Sequence, residues 1–230
     1  MRPRIVVAVF PGSNDHRDAA WALRVLGAEP RFVWHAEPEL GAVAAVVVPG
    51  GFSYGDYLRC GAIARFSPVM AAVARFAGDG GLVFGICNGF QILCEAGLLP
   101  GALCANERLR FVCKDVTLVV ENAETAFTFR CTAGSRLRIP VKHGHGRWVA
   151  PPGQVDELER EGRVVLRYVP GDNPNGSEAD VAGVLNAEGN VMGVMPHPEH
   201  AVDPLLGSGD GAYLLSSLVD AARDRVLAAA

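Results

Sequence analysis

The 230-residue sequence lacks an apolar segment long enough to cross a membrane. Its longest apolar run before a chain breaker covers residues 42–48, far short of the ~20 residues that span a bilayer. The basic start and the apolar residues 5–10 imitate a signal peptide. That stretch is too short, however, and it meets Pro11-Gly12 instead of a cleavage site. The sequence therefore predicts a protein that is neither membrane-bound nor secreted.

Three further absences exclude other classes. Lys and Arg number 21 against 25 Asp and Glu, and this net charge of −4 argues against a nucleic-acid-binding protein with a broad basic face. The six cysteines include no Cys-x-x-Cys pair, so we expect reduced thiols in a cytoplasmic protein. Neither a Walker A sequence nor a G-x-G-x-x-G fingerprint is present, so the sequence gives no sign of ATP or dinucleotide binding by those routes.

What is present is a globular composition, with 50% hydrophobic and 20% charged residues. At about 150 residues per domain, and without a linker, repeat or low-complexity segment, we predict one domain over residues 1–230. Its first half alternates predicted strands (4–10, 31–34, 42–48 and 82–86) with predicted helices (14–26, 68–77 and 88–96). This alternation predicts an α/β fold with a mostly parallel sheet and helices on both faces.

The second half has a different pattern. Short turn clusters separate six predicted strands, at residues 111–120, 127–132, 138–141, 164–168, 182–186 and 191–195. Such spacing favours antiparallel pairing, so we expect an antiparallel extension of the sheet. A loop at 207–211 precedes a final predicted helix over 212–227.

The strongest chemical motif is Gly85-Ile86-Cys87-Asn88-Gly89, which has the form of a nucleophile elbow with cysteine in place of serine. An apolar strand precedes it and a helical pattern follows, as that sharp turn requires. The helix N-terminus favours a thiolate, and the Asn88 N–H is a candidate oxyanion donor. The alternative is a buried cysteine between two packing glycines.

A cysteine nucleophile needs a base, and Pro196-His197-Pro198-Glu199 supplies a candidate. His197 is the predicted base, and Glu199 is placed to accept from its second ring nitrogen. A surface turn with an incidental histidine is the alternative. His200 has no orienting partner nearby in sequence and ranks below His197.

Two glycine-containing loops complete the candidates. Pro49-Gly50-Gly51 follows the third predicted strand, and the Gly51 N–H is a second candidate oxyanion donor. Taken alone it is a turn. His143-Gly144-His145 would make half of a metal site if His197 or His200 joined it, but two close histidines in such a loop are more often polar loop residues.

Taken together, these motifs resemble class I glutamine amidotransferases, and within that class the glutaminase subunits of phosphoribosylformylglycinamidine synthases. The elbow and the His-x-Glu segment are shared by the class. Gly-Phe-Ser-Tyr-Gly-Asp at 51–56 and Asn-Pro-Asn-Gly-Ser at 173–177 make the resemblance specific to this subunit. Further matching stretches are 10–14, 49–59, 85–93, 109–112, 143–144 and 195–199.

The resemblance implies a single flavodoxin-like domain that hydrolyses glutamine through a thioester. Its implied triad is Cys87, His197 and Glu199, with backbone oxyanion donors at Gly51 and Asn88. Gln91 and the loop around His143 are implied to hold glutamine. The resemblance also implies a synthetase subunit, which binds formylglycinamide ribonucleotide, ATP and Mg²⁺ and receives the ammonia, and a small third subunit. No cofactor, metal, nucleic acid or membrane is expected on this chain.

The sequence departs from the family pattern at two places. His145 stands where glutamate is usual, which bears on the glutamine pocket or a subunit contact. Asp15-His16 replace a usual Cys-Asp pair, a change expected to leave the triad untouched. Tyr54, Asp56 and Arg59 are candidates for subunit docking.

Three alternative functions remain open: a glutaminase of pyridoxal phosphate or CTP synthesis, a silent interaction subunit, and a histidine-based metal hydrolase.

Overall fold

The computed structural model describes residues 1–228. Eleven strands lie within them: β1 (Arg4–Val9), β2 (Glu29–Trp34), β3 (Ala45–Val48), β4 (Leu82–Ile86), β5 (Ala102–Cys104), β6 (Val112–Val120), β7 (Arg136–His143), β8 (Arg147–Val149), β9 (Val164–Tyr168), β10 (Val181–Leu185) and β11 (Val191–Val194). The α-helices of this range are α1 (His16–Val25), α2 (Pro68–Gly78), α3 (Asn88–Glu95), α4 (Gln154–Arg160) and α5 (Gly211–Ala228).

Nine of these strands form one sheet in the order β2-β1-β3-β4-β11-β10-β9-β6-β7, and β5 pairs with β8 separately. The strands β2, β1, β3, β4 and β11 run parallel to one another. The remaining four extend the sheet by antiparallel pairing. The predicted α/β architecture with an antiparallel extension is therefore confirmed. β11 links the two halves, because it lies parallel to β4 and antiparallel to β10.

Helices cover both faces of the parallel strands, so every side chain of β3, β4 and β11 is buried. The chain runs from β1 to β2 at the sheet edge, then passes back across β1 to β3 and continues in that direction to β4. With right-handed crossovers this places α1 on the face opposite α2 and α3, and α5 packs beside α1. In such sheets the loops beyond the carboxyl ends of the strands form the ligand site.

One predicted strand is wrong. Residues 127–132 form turns, although Phe127 is fully buried as the apolar pattern implied. The Thr125 hydroxyl accepts from the Phe127 N–H, and the Thr128 hydroxyl donates to the Asn122 carbonyl. These local side-chain bonds compete with a sheet ladder. The short elements β5, β8 and α4 had no counterpart in the prediction.

All six cysteines lie within the described range and none is in a disulfide. Of the helices in residues 1–228, none combines the length and apolar character that crossing a membrane requires.

Candidate active site

Three of the predicted site segments meet at one edge of the sheet. Gly51 follows β3, Cys87 follows β4 and His197 follows β11, and these strands are direct neighbours. The ladder continues one step beyond β4, because the Cys87 N–H donates to the Val194 carbonyl at 2.8 Å. Parallel neighbouring strands thus bring together residues that lie more than a hundred positions apart in sequence.

The turn at Cys87 is sharp and strained. Cys87 has φ +50° and ψ −102°, a conformation that a non-glycine residue adopts only where the surroundings enforce it. Its flanking glycines leave the necessary space: a Cβ on Gly85 would lie 2.9 Å from the Gly89 carbonyl group, and one on Gly89 would collide with the Val48 carbonyl. α3 therefore starts in close contact with the sheet, and the thiol is held at the sheet edge.

The buried position of Cys87 governs its protonation. Burial raises the pKa of the thiol, and the carboxylates of Asp15 and Glu199 raise it further, whereas Lys142 and the Asn88 N–H lower it. The Asn88 N–H at the helix N-terminus acts in the expected direction, but burial is the largest influence and the net shift is upward. The thiol is therefore protonated at neutral pH and needs a base.

His197 and Glu199 form the predicted hydrogen bond. The two side chains are buried, and 2.7 Å separates His197 Nδ1 from Glu199 Oε1. The backbone N–H of His197 donates to the Pro140 carbonyl of β7 at 2.8 Å, which fixes the segment from the other side. Within residues 1–228, His197 Nε2 is buried and has no hydrogen-bond partner. This nitrogen is available to exchange a proton with a bound substrate or a nucleophile.

Both predicted oxyanion donors lie beside the elbow. Asn88 is the first residue of α3, directly after Cys87, and its N–H lowers the pKa of the thiol. No protein oxygen in the described chain accepts from the N–H of Gly51 or Asn88. Gly51 has φ +145°, and a Cβ there would lie 2.5 Å from the Asn14 nitrogen, so the loop requires glycine. The Asn88 side chain fastens this loop by accepting from the Ser53 N–H at 3.1 Å.

A cavity of about 260 Å³ opens onto Cys87, with Gly51, Gln91 and His143 in its wall. Gln91 bridges two parts of that wall: its amide donates to the His145 carbonyl at 2.5 Å and accepts from Asn88 Nδ2 at 2.8 Å. His143 Nδ1 lies 3.1 Å from Asn106 Oδ1. Burial lowers the pKa of His143 to about 4, so this imidazole is neutral. Both side chains therefore shape the pocket, and their contact with glutamine stays a prediction.

Two charged residues that the sequence motifs did not indicate, Asp15 and Lys142, lie beside His197 and Cys87. Asp15 lies at the N-cap position of α1 but makes no capping bond. Its carboxylate instead bonds Lys142 Nζ at 2.5 Å, and its second oxygen lies 3.8 Å from His197 Nδ1. The expectation that Asp15 leaves the triad untouched is therefore wrong. Its place after β1, at the same edge of the sheet, was the available signal.

One group of side chains in the described range has metal-ligating geometry: Asp15, His197, Glu199 and His200, with ligand atoms within 4.8 Å of one another. The Lys142 ammonium already contacts two of its members, because Nζ lies 3.1 Å from His200 Nε2 and bonds Asp15. His143 is not a member of the group, since asparagine side chains flank both of its ring nitrogens. The His143 metal site weighed from the sequence is not assembled.

The three docking candidates are partly engaged within the chain. The Tyr54 hydroxyl lies 2.7 Å from His35 Nδ1 and 2.9 Å from Ser67 Oγ. Arg59 bonds Glu95 through two nitrogens. Asp56 lines the Cys87 cavity.

The strained cysteine elbow, the paired His197 and Glu199 and the adjoining pocket define a class. Residues 2–209 match the family model for the CobB/CobQ-like glutamine amidotransferase domain, and the chain belongs to this family.

Closer relatives define the subfamily. The phosphoribosylformylglycinamidine synthase subunit PurQ of Nocardia farcinica is 58% identical and that of Salinibacter ruber 56% identical, each covering 96% of this chain and 98% or 97% of the relative. The solved structure of PurLQS from Thermotoga maritima contains a chain that is 47% identical, with a TM-score of 0.88, over 96% of this chain and 99% of that one. The chain is thus a member of the PurQ family.

Proposed function

We propose that this chain is the glutaminase subunit of a phosphoribosylformylglycinamidine synthase. It hydrolyses glutamine to glutamate through a Cys87 thioester and delivers the ammonia to a synthetase subunit. The observation that carries the proposal is the strained Cys87 elbow beside a His197 that bonds Glu199 through Nδ1 and leaves Nε2 unpartnered. That arrangement suits a nucleophile with its base and orienting group. A silent interaction subunit would have no need of it.

The reaction follows from the positions of these groups. His197 takes the thiol proton as the Cys87 sulfur attacks the side-chain amide carbon of glutamine. The N–H groups of Gly51 and Asn88 hold the oxygen of the tetrahedral intermediate. His197 then gives its proton to the departing ammonia, and the thioester forms. Water, deprotonated by His197, attacks the thioester, and its collapse releases glutamate and restores the thiol.

The pocket also fits the amino acid end of the substrate. Asp56 is the carboxylate among the residues lining the cavity, and its Oδ1 is buried with no hydrogen-bond partner in the described chain. Glutamine carries an α-ammonium group that requires an anionic or carbonyl acceptor. Asp56 supplies that acceptor, and burial raises the pKa of its carboxyl group in the absence of a ligand.

The partners follow from the subfamily. The synthetase subunit binds formylglycinamide ribonucleotide, ATP and Mg²⁺ and amidates the ribonucleotide, and a small third subunit completes the complex. The chain itself uses no cofactor, and the complex works in the cytoplasm. We expect low activity of the isolated chain without the partners, since an unregulated glutaminase would waste glutamine.

Reconstitution tests this function. The chain is mixed with the synthetase and small subunits, and glutamine-dependent amidation of formylglycinamide ribonucleotide is measured, together with glutamate release by the chain alone. We expect amidation by the complex and slow glutamate release by the isolated chain. Glutamate release without amidation, under conditions where ammonium supports the synthetase, would contradict the assignment to this synthase. Equal glutamate release by chain and complex would contradict the activity control.

A further inference from the structure

A lysine and an aspartate form a charged pair against the back of the triad. Asp15 Oδ1 accepts from Lys142 Nζ at 2.5 Å, and His200 Nε2 lies 3.3 Å from the same oxygen. Asp15 Oδ2 lies 3.8 Å from His197 Nδ1, the nitrogen that also bonds Glu199. His197 therefore faces two carboxylates, only one of which makes a direct hydrogen bond to it.

The packing leaves this pair little freedom. The Asp15 side chain is 5% exposed, and the Asp15 N–H donates to the Gly50 carbonyl at 3.2 Å. A Cβ on Gly50 would lie 2.5 Å from Asp15 Oδ2 and 2.7 Å from His197 Cε1, so both side chains close over that residue. Lys142 reaches the pair from β7, and its own carbonyl oxygen lies 3.9 Å from the Cys87 sulfur. Lys142 thus contacts Asp15 through its side chain and Cys87 through its backbone carbonyl.

The charges around the thiol are unbalanced without Lys142. Charged and titratable groups from five segments surround Cys87: Asp15 after β1, Asp56 and Cys60 after β3, Lys142, His143 and His145 in and after β7, Tyr168 in β9, and His197 and Glu199 after β11. Of the three carboxylates, those of Asp15 and Glu199 oppose formation of a thiolate. Burial alone would raise the pKa of Asp15, but the contacts with His200, His197 and Lys142 hold it well below its usual range. Asp15 is therefore an anion at every pH at which the enzyme works.

We propose that Asp15 and Lys142 are positioning residues of this active site: the Lys142 ammonium holds the Asp15 carboxylate against the ring of His197 and cancels its charge beside Cys87. The proposal rests on the proposed glutaminase function. Asp15 gives His197 a second negative neighbour when the imidazole takes the thiol proton. Lys142 prevents the same charge from suppressing thiol ionisation. Neither residue touches the reacting atoms of glutamine.

Opposite charge effects distinguish this role from a structural one. Asp15→Asn and Lys142→Met each break the same ion pair, so a loss of local order would change Cys87 reactivity in the same direction in both variants. Loss of a nearby negative charge favours the thiolate, whereas loss of a nearby positive charge disfavours it. Since His200 still contacts Asp15 in Lys142→Met, the carboxylate remains ionised in that variant.

The test is the alkylation rate of Cys87 by iodoacetamide at pH 9.5, where hydroxide and not His197 takes the thiol proton, in the full-length chain without glutamine. Mass spectrometry of the Cys87 peptide separates its reaction from that of the other cysteines. Because the thiolate is the reacting form, the rate follows the ionised fraction. We expect Asp15→Asn to react about tenfold faster and Lys142→Met about tenfold more slowly than wild type. The double variant should return to within about threefold of the wild-type rate, because its net charge is restored.

Two controls keep the result interpretable. Lys142→Arg preserves the charge and should stay within about twofold of wild type. Lys114→Met makes the same chemical change at the exposed Lys114–Asp172 pair and should leave the Cys87 rate unchanged. Rate changes of equal sign in both single variants, or wild-type rates in both when thermal unfolding shows them folded, would overturn the proposal. Because alkylation needs no glutamine, this outcome is independent of the reconstitution result.

Discussion

Glu199→Gln is the most informative single change at the triad. Glutamine keeps the shape of the side chain and a hydrogen bond to His197, but it removes a charge that lies 2.7 Å from Nδ1. At an effective dielectric constant of ~20, a carboxylate at that distance attracts an imidazolium by about 6 kcal/mol, and one at the 3.8 Å of Asp15 by about 4 kcal/mol. Asp15 therefore retains part of the stabilisation of the charged ring. We expect a net loss of about 3 kcal/mol, or roughly a hundredfold in kcat.

The assay is glutamate release by the complex reconstituted with the synthetase and small subunits. Glu124→Gln makes the same chemical change at an exposed position and should leave kcat unchanged. The double variant Glu199→Gln with Asp15→Asn should lose about a further tenfold. A folded Glu199→Gln complex that retains more than about a third of the wild-type kcat would refute the assignment of Glu199 as the orienting group.

Three further predictions concern packing, substrate binding and pH. Gly89→Ala should lower the free energy of unfolding in urea by about 2–3 kcal/mol, because its Cβ meets the Val48 carbonyl, whereas Gly78→Ala, which has open space, should not. Asp56→Asn should raise the KM for glutamine about tenfold and change kcat little, as steady-state kinetics will show. Because burial lowers the pKa of His143 from 6.5 to about 4, the unfolded chain binds a proton first as pH falls, so stability decreases between those values. Urea midpoints from pH 7 to 4.5 should show a weaker decrease for His143→Gln.

The sequence was most informative where local chemistry and global fold agree. The strand β4 and the start of α3 lie where the apolar run and the Gly-x-Cys-x-Gly motif predicted them. The His197–Glu199 bond follows from a spacing of two residues in a stiff segment. Both features depend on residues that lie close together in the sequence, so one sequence is enough to predict them.

The sequence pattern did not predict interactions between segments that are far apart in the chain. Asp15 and Lys142 are 127 positions apart, and nothing near either residue indicates the other. Asp15 had the character of a helix cap, but the approach of β7 and of the segment after β11 gives its carboxylate Lys142 and His200 as partners instead. The same limit explains residues 127–132. Their apolar and β-branched composition is typical of a strand, but the hydroxyls of Thr125 and Thr128 hold the chain in turns.

The central claim is that Cys87 serves to release ammonia from glutamine for the synthetase. The most direct test replaces wild type with Cys87→Ser in the reconstituted synthase and compares glutamine with ammonium as nitrogen donor. The account predicts that amidation with glutamine is lost, while amidation with ammonium continues at the wild-type rate. Amidation with glutamine by the Cys87→Ser complex would contradict the account.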